Sequence, residues 1–72
     1  MKPGDLVQNL GSNSRSKLFS SPLTDENNHS PRFTTGLLTG IGVVLELRGS
    51  DVRIMCDGIT GWSFAGNLRV IQ

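Results

Sequence analysis

The chain has one cysteine, one histidine, one tryptophan and no tyrosine in 72 residues. A single cysteine builds neither an intrachain disulfide framework nor a cysteine zinc site. His29 has no cysteine and no second histidine near it in sequence, so it offers one ligand where a metal centre needs several. Long apolar runs are also missing. No stretch approaches the roughly 18 residues that suggest a transmembrane helix. The start, Met1-Lys2-Pro3-Gly4-Asp5, lacks the apolar core of a secretory signal, so none is expected. Charge is scarce. Lys+Arg number 7 against Asp+Glu 6, a net charge of +1, with charged residues at 18%. That balance leaves no electrostatic footprint for nucleic acid. Gly40-Ile41-Gly42 is not followed by a helical pattern, so it is not a phosphate-binding turn. The expectation is a chain without cofactor, metal, membrane span or small-molecule substrate.

What is present falls into two unlike parts. Residues Asn9 to Thr35 number 27, and 15 of these are Ser, Asn, Thr or Pro. Their apolar residues, Leu10, Leu18, Phe19, Leu23 and Phe33, follow neither a helical nor a strand period. Ser20-Ser21-Pro22 and His29-Ser30-Pro31 carry turn chemistry. The expectation for 9–35 is a long polar loop held by a few apolar anchors, Phe19 and Phe33 above all. From Gly36 onward β-formers dominate. Ile41, Val43, Leu45 and Leu47 alternate with Gly42, Val44, Glu46 and Arg48, the period of a half-buried strand. Val52, Ile54 and Cys56 alternate with Arg53, Met55 and Asp57. Asp57-Gly58 is a hairpin signal, because its turn needs positive φ. Ile59–Phe64 is the next strand, Ala65-Gly66-Asn67-Leu68 a short turn of 3₁₀ type, and Arg69-Val70-Ile71 a closing strand. Asp5–Gln8 supplies the first. Residues 1–72 thus form one all-β domain of five short strands, with the loop between the first and second.

These residues resemble a known family. Gly4-Asp5-Leu6-Val7 is similar to the opening strand of bacterial and phage Src-homology-3-like barrels, and Gly40–Leu47 to their glycine-marked second strand. Asp57-Gly58 with Gly61-Trp62, then Asn67-Leu68-Arg69-Val70-Ile71, resemble their hairpin, aromatic strand and closing 3₁₀-plus-strand. The resemblance covers residues 2–8 and 36–72. It implies a five-stranded barrel and a setting in a phage particle or in the cytoplasm. The chain departs from the signalling members. Those bind proline-rich peptides on several aromatics and grip a basic residue with acidic loops. Here the aromatics are Phe19, Phe33, Trp62 and Phe64, and the acidic cluster is reduced to Asp25-Glu26. The glycine-marked strand also resembles the KOW motif of ribosomal and transcription proteins, but Arg48, Arg53 and Arg69 are matched in number by Glu46, Asp51 and Asp57.

The chemistry-bearing residues are few. Cys56 falls on the inward row with Val52 and Ile54, where a cysteine packs as a small apolar side chain. Asp25, Glu26, Asp51 and Asp57 lie in loops and turns, which favour aspartate for backbone reasons. A small barrel fills its own interior and leaves no shaped pocket for acid–base work, so no enzyme is expected. Asn28-His29-Ser30 matches a glycosylation sequon only formally. With Ile41 and Val43 facing inward, Val44 and Met55 face outward beside Arg53 as a small apolar patch. Trp62 either packs as barrel wall or anchors a partner. The expected contact residues for a protein partner, or for another copy of the chain, are Phe33, Val44, Arg53, Met55, Trp62 and Phe64. Association is expected because only about 45 residues carry the pattern, and chains that short need help to stay folded. The function expected is a non-enzymatic interaction or structural module. Two alternatives stand beside it. One is a nucleic-acid-binding barrel using Arg48, Arg53 and Arg69 with Trp62 stacking on a base. The other is a small protein inhibitor of a host enzyme.

Overall fold

The computed structural model of the protein describes residues 1–10, 16–22 and 33–71. Its strands are β1 (Leu6–Asn9), β2 (Ser16–Phe19), β3 (Thr34–Leu38), β4 (Gly42–Arg48), β5 (Asp51–Cys56), β6 (Ile59–Phe64) and β7 (Leu68–Val70). A 3₁₀ turn, Ala65–Asn67, joins β6 to β7. All pairings are antiparallel, and the seven strands form one curled sheet, a half-barrel, in the order β3-β2-β6-β5-β4-β1-β7.

The β5–β6 hairpin forms where the Asp-Gly dipeptide predicts it. Asp57 has φ +52° and Gly58 φ +78°, which places Cys56 opposite Ile59 across a two-residue turn. Both positive values suit the right-handed twist of the flanking strands. Gly49, at φ +59°, turns the chain between β4 and β5.

The all-β expectation holds, but the described residues form seven strands, because the polar segment 9–35 is not all loop. It contributes β2 and the start of β3, which pair as a hairpin with a register shift between Leu18 and Phe19. Each strand delivers one fully buried apolar side chain, Leu18 from β2 and Leu38 from β3. One inward residue per short strand leaves no alternation to see in the sequence. The hairpin is tied to its neighbours by polar groups. Thr35 Oγ1 donates to Thr60 O at 2.9 Å. Buried Asn9 on β1 donates from Nδ2 to Leu38 O at 3.0 Å, and its Oδ1 accepts from Ser16 Oγ at 2.6 Å. Asn9 thereby links β1 to β2 and β3 without a strand ladder between them.

The core consists of Val7, Leu18, Leu38, Val44, Val52, Ile54, Cys56 and Leu68. Val52, Ile54 and Cys56 face inward as their spacing predicts. From Ile41 to Val44 the expected faces are exchanged, while beyond Leu45 the residues Glu46, Leu47 and Arg48 keep theirs. Val44 is 1% exposed and lies in the core, while Ile41 is 55% exposed. Two features cause this. Gly42 is buried on the inner face, and a Cβ there would collide with Ile54 Cγ2. A bulge at Leu45 then breaks the alternation, since Val44 pairs with Ile54 and the next pair is Glu46 with Arg53. A period counted through the bulge puts half the strand on the wrong side.

At the N-terminus Asp5 accepts from Lys2 N at 3.0 Å and from Lys2 Nζ at 2.8 Å. Gly4 N donates to Val44 O at 2.8 Å, and Val44 N to Asp5 O at 2.9 Å, which extends the β1–β4 pairing. Among the described residues no helix is long and apolar enough to cross a membrane.

Candidate functional site

Register decides which side of the sheet each residue occupies. On β5 and β6, core-facing Val52 and Ile54 stand opposite Ser63 and Gly61. The alternate set therefore faces away from the core: Asp51, Arg53 and Met55 opposite Phe64, Trp62 and Thr60. After the bulge, Glu46 joins this outer face opposite Arg53, and Arg48 opposite Asp51. Phe19 of β2 continues the row, paired with Trp62. One outer row thus reads Glu46–Arg53–Trp62–Phe19 across four strands. The next reads Leu6–Val43–Met55–Thr60.

Trp62 is only 8% exposed, yet it is not part of the core cluster. It is covered on the outside. The Arg48 guanidinium lies over its ring, 5.4 Å from the centroid, an attraction between cation and ring quadrupole. Around this ring opens a groove of about 530 Å³. Trp62 and Phe19 form its floor, Pro22 and Phe33 one wall, and Glu46, Arg48 and Arg53 the opposite rim. Phe33 is 63% exposed. Its backbone is fixed all the same: Ser20 N donates to Phe33 O at 2.9 Å, and Phe33 N donates to Ser20 Oγ at 3.2 Å. Glu46 stands between the two arginines, 3.4 Å from Arg48 and 3.9 Å from Arg53. Both pairs are solvated.

Compared with family models, curated proteins and solved structures, the chain matches none.

Of the residues expected to make contacts, Phe33, Arg53 and Trp62 come together in the groove. Met55, 41% exposed, stands on the same outer face one row away. Phe64 shares that face opposite Asp51 and is half-buried. Val44 cannot contribute, because it lies in the core on the opposite side of the sheet. The outward apolar patch therefore consists of Met55 and Val43, with Leu6 alongside, rather than Met55 and Val44.

Phe19, Pro22, Glu46 and Arg48 complete the groove and were not among the expected contacts. Phe19 is visible in the sequence as an anchor, but its partner Trp62 is set by the β2–β6 pairing, which no local pattern announces. Arg69 lies elsewhere. It stands opposite Gln8 on β1, whose amide, with its oxygen turned to the guanidinium, accepts from Arg69 Nε at 3.1 Å. Cys56 is buried, its Sγ 3.9 Å from Asp57 Oδ2. His29, Asp25, Glu26 and the sequon Asn28-His29-Ser30 lie outside the described residues. Among the described residues, no three His, Cys, Asp or Glu side chains converge as a metal site would require.

Proposed function

We propose that this protein is a non-enzymatic interaction or structural module that holds a protein partner, or another copy of itself, in the Trp62 groove. The observation that carries this reading is the location of the single tryptophan. A small fold short of large apolar residues would gain most by burying its tryptophan in the core. Here the ring is buried on the outer face instead, 8% exposed beneath Arg48, where it lines a groove with Phe19, Phe33 and charged residues. Aromatic floors with arginine at the edge are the chemistry of protein-binding hot spots.

Two further features support it. Exposed large apolar side chains include Phe33 and Met55, of which Phe33 lines the groove and Met55 shares its face of the sheet. The near-neutral chain suits a component of an assembly, such as a phage particle or a cytoplasmic complex, whose attachment does not depend on charge steering. The Src-homology-3-like barrel belongs to the same proposal. Its five strands would be β1, β4, β5, β6 and β7, with the 3₁₀ turn before the last, and the β2–β3 hairpin would stand in its long first loop.

A nucleic-acid surface is less well supported. Arg69 is remote from Arg48 and Arg53 and faces Gln8, and Arg48 and Arg53 share Glu46. The test has two arms. Light scattering over a range of concentrations reads self-association, and selection from a random displayed-peptide library reads partner binding. The module reading expects a dimer or a selected peptide, lost in both cases on Phe33→Ser with the fold intact by circular dichroism. A monomer that enriches no peptide contradicts it.

A further inference from the structure

The groove has two chemically different ends at a fixed separation. Resting on the proposal that the groove binds a protein partner, we infer that its occupant is an extended peptide segment with an apolar side chain and, two residues on, a carboxylate. The apolar side chain packs on Phe19, Phe33 and the small exposed part of Trp62, and the carboxylate meets Arg53.

Arg53 carries the charged half of this inference. Its side chain is about half exposed and lines the groove. Among the described residues its one partner is Glu46, at 3.9 Å, beyond hydrogen-bonding distance. Glu46 is nearer to Arg48, at 3.4 Å. The Arg53 guanidinium thus has five N–H donors and makes no hydrogen bond within the described residues, beside an apolar floor. A carboxylate accepts two parallel bonds from such a fork. An arginine or lysine on the ligand would meet a like charge at the same point.

Spacing fixes the pattern. Arg53 and Trp62 are directly opposed across β5 and β6, and Trp62 and Phe19 across β6 and β2. Directly opposed side chains stand about 5 Å apart, so the middle of the apolar floor, between Trp62 and Phe19, lies about 7 Å from Arg53. An extended chain advances about 3.3 Å per residue and returns to the same face every second residue. Residues i and i+2 of a peptide crossing the strands therefore reach both ends, and adjacent residues do not, because they point to opposite faces. A single-stranded nucleic acid fits less well. It presents a phosphate at every nucleotide, whereas among the described groove residues Arg53 offers one guanidinium without a hydrogen bond.

Trp62 is the only tryptophan, so its fluorescence reports occupancy of the groove directly. The full chain is titrated with blocked peptides acetyl-Gly-Leu-Ser-Glu-Gly-amide, its Glu→Gln and Glu→Lys counterparts, acetyl-Gly-Leu-Glu-Ser-Gly-amide, and an oligothymidylate. The inference expects a saturable change with Leu-Ser-Glu. It expects binding weaker by about tenfold for the Gln peptide and for the adjacent Leu-Glu, as loss of a charge-assisted pair implies. It expects the weakest binding for Lys. Arg53→Gln should abolish the preference for Glu over Gln, while Phe33→Ser should weaken both peptides equally. Equal binding of the Glu and Gln peptides overturns the inference and leaves the module intact. So does a preference for the Lys peptide. Tightest binding by the oligothymidylate overturns both. Silence toward every peptide into the millimolar range overturns the inference, and the random-library selection then decides the module separately.

Discussion

Val44 and Trp62 show how far single residues can be read. Both sit in strands that the sequence marks plainly, yet Val44 lies in the core and Trp62 is buried on the opposite face of the sheet. For Val44 the deciding neighbour is Gly42, which has no side chain to display its side of the strand. Its place is taken by Ile54, and a methyl group there would have to displace that side chain. Gly42→Ala is therefore expected to destabilise the fold by about 1–3 kcal/mol, the usual effect of overpacking a tight core. A denaturant midpoint equal to that of the parent would show that the inner face is looser than described. Asp5 gives a second expectation at this scale. The hydrogen bond from the Lys2 side chain holds its carboxyl below the usual value, outweighing partial desolvation. A carboxylate whose pKa is lowered by folding adds stability at pH above its unfolded pKa, and that stability is lost as pH falls through the folded value. Thermal melts of the parent and of Asp5→Asn should accordingly differ at neutral pH and converge under acid. A constant offset across the range would mean that the ion pair contributes nothing.

At the scale of elements, what was legible depended on what each strand buries. β5 and β6, joined by Asp57-Gly58, were visible because both alternation and turn chemistry are local. The 3₁₀ turn before β7 was visible for the same reason. β2 and β3 were not, because each contributes one inward leucine amid polar residues and is held by non-local bonds. The bulge at Leu45 was invisible too, since the shift exists only relative to β5. Asn9 shows how such non-local bonds work. It closes the half-barrel from β1 to the β2–β3 hairpin through Leu38 O and Ser16 Oγ. Asn9→Ala leaves that buried carbonyl without its donor, and we expect a loss of about 1–3 kcal/mol. Amide exchange should accelerate chiefly in β2 and β3. Uniform acceleration over all strands would indicate that the hairpin is not a separate unit.

At the scale of the whole molecule, the sheet has a core side and an outer side, and both carry apolar residues. Among the described residues the inner side holds eight clustered ones. The outer side holds the tryptophan, three phenylalanines and an apolar row through Val43 and Met55. Half of the groove was legible. Phe33, Arg53 and Trp62 are conspicuous in the sequence, whereas their union with Phe19, Pro22, Glu46 and Arg48 depends on a strand pairing between distant segments. Stability of so small a core is modest. Truncating the outer side should therefore alter binding more than folding, except at Trp62, whose ring is largely covered. Met55→Ser, on the exposed part of that face, should shift the melting temperature little while weakening self-association if copies meet there. A large drop in melting temperature would place Met55 in the core instead.

The most direct test maps a bound partner onto this face. A peptide selected against the folded protein is titrated into the isotope-labelled chain while the backbone amides, the Trp62 indole and the Arg53 guanidinium are followed by nuclear magnetic resonance. The groove reading predicts shifts concentrated at Phe19, Phe33, Arg53, Thr60 and Trp62, with Arg69 and Gln8 unmoved. Shifts clustered at β1 and β7, with a silent Trp62 indole, would contradict it.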